Sequence, residues 1–157
     1  MSPAHLLFPQ AGFFLALAVD RIQHIQEAES VVPLPGAGCQ IRGLAACGGR
    51  SRVVLNLPGL LPPASTGTDM ALADRPPLWI LLEGEADGLV LEIPAPLSFS
   101  TPVAKAPRPA GTVAICDRGE LHPAGVAGLI SMRRLLASFR RAAGALATIP
   151  HSRVARR

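Results

Sequence analysis

Few side chains in this sequence combine the type and spacing that catalysis or metal binding requires. His24, Glu27 and Glu29 place one imidazole near two carboxylates, but the spacing matches no metal motif and fits a solvated face better. Residues 117–120 hold two carboxylates around a glycine, and the flanking strand candidates predict a turn there. We therefore expect no catalytic residue, no bound metal and no cofactor.

Motifs for nucleophiles and phosphate binding give the same result. No serine stands in a G-x-S-x-G elbow, and neither a dinucleotide fingerprint nor a P-loop is present. The four histidines are far apart in sequence: His5, His24, His122 and His151. Folding can still bring distant residues together, so an enzyme on an unrelated β fold stays open as an alternative.

Positive charge is concentrated at the C-terminal end. Residues 121–157 contain seven arginines and no acidic residue, while the whole chain has a net charge of +4. Such an end can bind phosphates, yet Phe139 is its only aromatic residue and no recognition motif is present. We expect a solubilising helix face and no nucleic-acid partner; an acidic protein partner and a nucleic-acid binder both stay open.

Glycine and proline divide the chain into short apolar runs. The 16 prolines and 15 glycines, with abundant Val, Ile and Leu, predict a mainly β protein built from short strands. We expect two hairpins in the first half, one around residues 9–12 and one around Gly48 and Gly49, and in the second half strands at 78–82, 89–93, 112–116 and 128–131. Residues 20–29 fit either a short helix or a continued strand, and residues 62–77 read as a linker.

Residues 132–148 follow a helical pattern instead. Ser131 is a candidate N-cap, and the apolar stripe has helical spacing: Leu135, Leu136, Phe139, Ala143 and Leu146. The single domain then comprises a first subdomain at about 5–66, a second at about 77–131, this helix, and a basic tail at 149–157.

Cysteine usage and hydropathy indicate the compartment. Cys39, Cys47 and Cys116 form no C-x-x-C pair, which argues against a disulfide scaffold or a zinc site and favours small buried or half-buried side chains. No basic residue precedes the first apolar run, and no run is long enough to cross a membrane. We expect a cytoplasmic protein without membrane insertion.

Residues 14–61 carry the most specific pattern. An apolar strand leads into Val19, Ile22 and Ile25, followed by Pro33-Leu34-Pro35, Ile41-Arg42-Gly43-Leu44, the Gly48-Gly49 turn and the strand Val53-Val54-Leu55-Asn56-Leu57. This order resembles the first half of the CheW-like domain, a coupling module of bacterial chemotaxis arrays. Weaker similarity continues through 78–82, 88–92 and 129–136, so the resemblance covers roughly residues 6–139.

The resemblance implies a fold and a set of partners. It implies two small five-stranded SH3-like β-barrels packed together, with a C-terminal helix. It also implies a non-enzymatic adaptor that binds the cytoplasmic tip of a chemoreceptor and the regulatory domain of a CheA-type histidine kinase. The residues expected to contact partners are Val32, Leu34, Ile41, Arg42, Leu44, Gly48, Gly49 and Arg50.

Departures from the family pattern lie around the Gly48-Gly49 turn and in the strand that follows it. The family typically reads G-V-x-N-L-R-G where this chain has Gly43-Leu44-Ala45-Ala46-Cys47-Gly48-Gly49. Ala46 stands for the family's Asn and Gly48 for its Arg, while Val53 and Asn56 replace a Pro and an Asp. The chain therefore resembles a divergent member, and Arg50 or Arg52 is a candidate replacement for the missing arginine. A connector that binds receptors or another regulator without activating a kinase is the alternative within the same fold.

Overall fold

Two β-sheets and one helix make up the protein in a computed structural model that describes residues 4–10, 13–61, 76–93 and 97–147. The strands are β1 (His5–Gln10), β2 (Phe13–Ala18), β3 (Ile22–Glu27), β4 (Ile41–Cys47), β5 (Arg50–Asn56), β6 (Leu78–Leu82), β7 (Leu89–Ile93), β8 (Ser98–Ser100), β9 (Ala104–Ala106), β10 (Cys116–His122) and β11 (Gly125–Ile130). Helix α1 (Met132–Ala147) follows. The mainly β fold with two packed parts and a C-terminal helix is confirmed.

The strands are distributed differently from the predicted subdomains. Sheet one has six strands in the order β8-β1-β2-β11-β10-β9, and sheet two has five in the order β3-β6-β7-β5-β4. The N-terminal hairpin therefore pairs with the C-terminal strands, across the boundary predicted between residues 66 and 77. The reason is a parallel pairing of β2 with β11, which no local pattern reveals. Residues 62–75 of the predicted linker and the predicted basic tail lie outside the described residues.

Two local predictions also need correction. Residues 117–120 lie inside β10 instead of forming a turn, because Gly119 packs directly against the preceding strand. A Cβ built at Gly119 would lie 2.2 Å from the Pro107 carbonyl oxygen. The strand predicted at 112–116 begins only at Cys116, and the segment before it forms turns. The ambiguous segment 20–29 resolves as a one-turn 3₁₀ helix (Val19–Arg21) followed by β3.

Three apolar clusters hold the sheets. The largest, which we call the central cluster or central core, contains side chains of both sheets and of α1, including Leu6, Leu17, Leu55, Leu91 and Leu135. A second lies only in sheet two around Trp79, and a third lies only in sheet one around Leu7, Ala16 and Ala127. Strand β6 contributes to both clusters of sheet two, because successive side chains point to opposite faces and both faces are covered.

Helix α1 begins as the sequence predicts. The backbone N–H of Arg134 donates to Ser131 Oγ at 3.3 Å, which is the expected N-cap bond. Leu135 is fully buried, and Leu136, Phe139 and Ala142 pack against the central cluster. Among the described residues no helix is long and apolar enough to span a membrane.

Two of the three cysteines are buried. Burial raises the pKa of Cys116 to about 11, and it also raises the pKa of Cys47 above its ordinary value. Cys39 is exposed, so the expectation of three buried or half-buried cysteines holds for only two. The buried thiols therefore stay protonated at neutral pH and are poor nucleophiles and poor metal ligands.

Glycine 43 is a point where two backbone segments touch. Its φ is +147°, and a Cβ there would lie 2.1 Å from the Val32 carbonyl oxygen.

Gly43→Ala should therefore lower the free energy of unfolding by about 2–4 kcal/mol, from backbone strain and overpacking. Gly144→Ala, on an open face of α1, should raise it by up to about 1 kcal/mol. Urea unfolding measures the free energy of unfolding of both variants. If the two substitutions change it by the same amount, the close contact at Gly43 is contradicted.

Candidate protein-interaction surface

The hairpin β4–β5 and the segment before it carry all eight residues predicted to contact partners. Gly48 and Gly49 connect the strands with φ values of 62° and 80°, as the type I′ turns of two-residue hairpins require. Strand β4 lies at the edge of sheet two, where only Val32 pairs with it, through an isolated bridge to Leu44. An edge strand offers backbone donors and acceptors to a partner.

The structure separates the eight residues into three groups. Val32, Arg42 and Leu44 line the edge of sheet two; Val32 is 68% exposed, and its N–H donates to the Leu44 carbonyl at 2.8 Å. We call these three residues the β4-edge surface. Gly48, Gly49 and Arg50 form the hairpin tip. Leu34 and Ile41 belong to the central core instead, Ile41 being 6% exposed.

Ile41 therefore does not fit an exposed contact surface. Along β4 the exposed side alternates with the buried side, and a register irregularity between Ile41 and Gly43 turns Ile41 toward the central cluster. A charge at Ile41 would disrupt the core before it affected any partner. Val32, at 68% exposed, is the apolar residue of the β4-edge surface that is most open to a partner, and Leu44 beside it is half-buried.

Arg42 links the β4-edge surface to the interior. Its Nε lies 2.9 Å from Glu92 Oε2, and the other Glu92 oxygen accepts a hydrogen bond of 3.1 Å from the indole N–H of Trp79. Glu92 is mostly buried, while the Arg42 side chain remains half exposed. The carboxylate thus orients both the core tryptophan and the surface arginine, a link that sequence reasoning missed.

Arg52 is a structural residue. Its side chain is 2% exposed, and its guanidinium donates to the Cys47 carbonyl at 3.1 Å, to Gln23 Oε1 at 3.2 Å and to Asp87 Oδ1 at 3.4 Å. These bonds fasten β5 to β3 and to the turn before β7. Because the side chain is enclosed, Arg52 does not supply the surface arginine that the family pattern has.

Arg50 is accessible but already paired. Its guanidinium donates to Asp87 Oδ1, and both side chains are about half exposed. Restoring the family arginine at Gly48 would be strained, because a φ of 62° disfavours a side chain. A Cβ there would also lie 3.2 Å from Arg52 Nη2. The hairpin tip therefore presents no free guanidinium from residues 48–52.

A second apolar surface escaped sequence reasoning. Val103, Leu121 and Val126 are exposed by 66%, 38% and 37%, and they adjoin one another on sheet one. The Val103 N–H donates to the Leu121 carbonyl at 2.8 Å, and Leu121 is the register partner of Val126. We call these residues the sheet-one patch. No apolar alternation in β10 signals it, because Leu121 is exposed while its neighbours Glu120 and His122 are buried.

Comparison with known proteins identifies a structural neighbour. No family model matches the chain, and no curated protein matches its sequence. Among solved structures, the scaffolding protein TtCheW from Thermoanaerobacter tengcongensis superposes with a TM-score of 0.65. The match covers 84% of this chain and 90% of that chain, at 14% sequence identity. The two proteins share a fold.

The ion pair at the hairpin tip has a measurable pH signature. Hydrogen bonding to Arg50 is the main cause that lowers the pKa of Asp87 below its ordinary value. A lowered carboxyl pKa stabilises the fold above the unfolded-state pKa, and this contribution is lost as the pH falls through the folded-state value. We expect carbon-detected NMR titration to show the depressed pKa, and Arg50→Gln to raise it toward normal. An unchanged Asp87 midpoint in that variant would mean that Arg50 does not pair with it in solution.

Proposed function

We propose that the protein is a non-enzymatic adaptor that couples chemoreceptors to a CheA-type histidine kinase in a chemosensory array. The observation that carries the proposal is the fold shared with a CheW scaffolding protein over most of both chains. The order of motifs in residues 14–61 supports it independently. Such an adaptor works in the cytoplasm, which is where the proposal places this protein.

The β4-edge surface is the proposed contact for a receptor tip. It combines an exposed valine, a half-buried leucine and an arginine fixed by Glu92 on the edge of a sheet. Apolar groups surrounded by polar ones, on a rigid strand, suit a helical or extended partner segment. Binding would need little rearrangement, because the Val32–Leu44 bridge already orders the edge.

The kinase contact is the less supported half of the proposal. Gly48 stands at the position of the family's arginine, Arg52 is enclosed, and Arg50 is paired with Asp87. A central arginine of an interface often contributes several kcal/mol to binding. These observations favour the second candidate, a connector that binds receptors or another regulator without activating a kinase.

Purified components distinguish the two candidates. The full chain is titrated against a receptor cytoplasmic tip and, separately, against the regulatory domain of a CheA-type kinase, and autophosphorylation is then measured with all three present. Binding to both with stimulation supports the coupling adaptor. Binding to the receptor tip alone supports the connector, and binding to neither would refute the coupling adaptor and the receptor-binding form of the connector.

Substitution at Val32 tests the receptor surface. Val32→Glu should weaken receptor-tip binding at least about tenfold, because a charge would be buried at the interface. The free energy of unfolding should change by no more than about 0.5 kcal/mol, since the side chain is exposed. Val103→Glu is the matched control, because Val103 has nearly the same exposure but lies in the sheet-one patch. If only Val103→Glu weakens binding, the receptor contact lies on sheet one and the β4-edge assignment is wrong.

Freeing Arg50 tests the kinase contact. Asp87→Asn removes the charge that holds Arg50, so binding to the kinase regulatory domain should increase if Arg50 can replace the family arginine. The double variant Asp87→Asn with Arg50→Gln should lose the gain. Calorimetry measures the affinities, and the unfolding midpoint controls for effects on Arg52. Strong kinase stimulation by the unmodified protein would show that the hairpin tip needs no free arginine.

A further inference from the structure

Two buried imidazoles converge on one carboxylate oxygen in sheet one. Glu120 Oε2 lies 2.7 Å from His5 Nδ1 and 3.0 Å from His122 Nε2. His5, Glu120 and His122 are 4%, 3% and 2% exposed, so the cluster is almost closed to solvent. His5 is separated from the other two by more than a hundred residues of sequence, which is why spacing did not reveal the cluster.

The fold places these side chains on one face of sheet one. Glu120 and His122 are two residues apart in β10, and Glu120 is the register partner of Ala127. His5 precedes Leu7 by two residues in β1, so it shares the face of the small cluster around Leu7, Ala16 and Ala127. Alanines at two of those positions leave room that the three polar side chains occupy.

The donor set is one that proteins use for zinc. Two imidazole nitrogens and a carboxylate oxygen leave one of four tetrahedral positions open. The donor atoms all lie within 4.8 Å of one another. Tetrahedral ligands at about 2.0–2.1 Å from a zinc ion are about 3.3 Å apart. The two nitrogen–oxygen distances of 2.7 and 3.0 Å need lengthen only by a few tenths of an ångström, and the two nitrogens, which lie within 4.8 Å of each other, must settle at a similar separation.

The surroundings hold one ligand in the required orientation. Ser100 Oγ lies 2.9 Å from His122 Nδ1, on the side of the ring opposite Glu120. When Nε2 binds a metal, the ring proton resides on Nδ1 and is donated to this hydroxyl. Such an outer partner is typical of metal-bound histidines.

Charge compensation also favours a cation. The cluster encloses a carboxylate, and the guanidinium of Arg118, itself 62% exposed, lies 3.5 Å from Glu120 Oε1. The carboxylate already has both imidazoles as hydrogen-bond partners, but its contact with a permanent cation is this loose one, and a divalent ion at Oε2 would compensate the buried charge directly. Glu120 also lines a cavity of about 270 Å³ with Val103, Lys105 and Arg118.

We propose that His5, Glu120 and His122 bind one Zn²⁺ ion through His5 Nδ1, His122 Nε2 and a Glu120 carboxylate oxygen, with water at the fourth position. In the zinc-bound state each imidazole is neutral and carries its proton on the nitrogen that does not bind the ion, Nε2 of His5 and Nδ1 of His122. The ion would tie β1 to β10, two strands that β2 and β11 separate in sheet one. Its role is structural, and it is independent of the proposed adaptor function.

The test uses the full-length chain without a histidine tag, stripped of metal by a chelator. Titration with Zn²⁺ should show one site per chain and raise the unfolding midpoint. Co²⁺ should give the visible bands of a tetrahedral site without thiolate charge-transfer bands. Long-range ¹H–¹⁵N spectra should show His122 with its proton on Nδ1 in the zinc-loaded protein.

Variants locate the ion. Glu120→Gln keeps size and hydrogen bonding and should weaken zinc binding at least about 100-fold, while Ser100→Ala should weaken it about 10–100-fold. His24→Gln is the control, because His24 is an exposed histidine on β3. If Glu120→Gln fails to fold, His5→Gln and Ser100→Ala carry the same comparison. Absence of saturable binding by the stripped unmodified protein, thiolate bands with Co²⁺, or binding unaffected by these substitutions would each overturn the proposal.

Discussion

The parallel pairing of β2 with β11 is the constraint on which the rest of the structure depends. It sets Phe14 beside Ala127 and Leu15 beside Gly128, and so joins the N-terminal hairpin to the last strands of the chain. β3 starts after a single 3₁₀ turn beyond β2, and α1 starts directly after β11, so this pairing also positions the entry to sheet two and the helix that covers the central cluster. It also brings His5 to Glu120 and His122. Its loop-closure cost is large, and it is repaid by the apolar surface that both sheets bury together.

The sequence predicts the local elements well and their pairing poorly. Short apolar runs bounded by glycine and proline mark most strands, and Ser131 with the stripe through Leu135 marks α1. These signals are local, because they reflect side-chain alternation, turn chemistry and capping. They do not reveal pairing that is parallel and distant, as for β2 with β11, since no short-range pattern records it. The error at 117–120 has another cause: Gly119 looks like a turn residue but is required for close packing against Pro107.

For the candidate surfaces too, the sequence indicates local features but not those that depend on contacts between distant residues. The predicted contact segment does lie on an exposed edge, and Val32, Arg42 and Leu44 are accessible there. Burial of Ile41 follows the alternation of β4, but its place in the large cluster, apart from Ala45 and Cys47, goes with a register irregularity that the sequence does not reveal. The partners of Arg50 and Arg52 were not predictable either, since Asp87 and Gln23 come from other strands and turns. For arginines that are close in sequence, the sequence alone does not show which one is exposed and which one is paired, because their partners come from distant segments.

Each sheet has a cluster of its own on the face away from the central cluster, and the two sheets fill this space with different kinds of side chain. Sheet two fills its own cluster with Trp79 and satisfies the indole N–H with Glu92, whose second oxygen then fixes Arg42 at the surface. In the described part of sheet one, the corresponding cluster is the small one of Leu7, Ala16 and Ala127, with Phe14 and Leu129 partly buried against it, and the same sheet buries the polar side chains of His5, Glu120 and His122. An apolar filling needs only volume, whereas a filling of two imidazoles and a carboxylate needs protons or a cation at defined positions. Sheet two can therefore serve as a rigid support for binding. In sheet one, the net charge of the His5–Glu120–His122 cluster depends on whether protons or a metal ion occupy it.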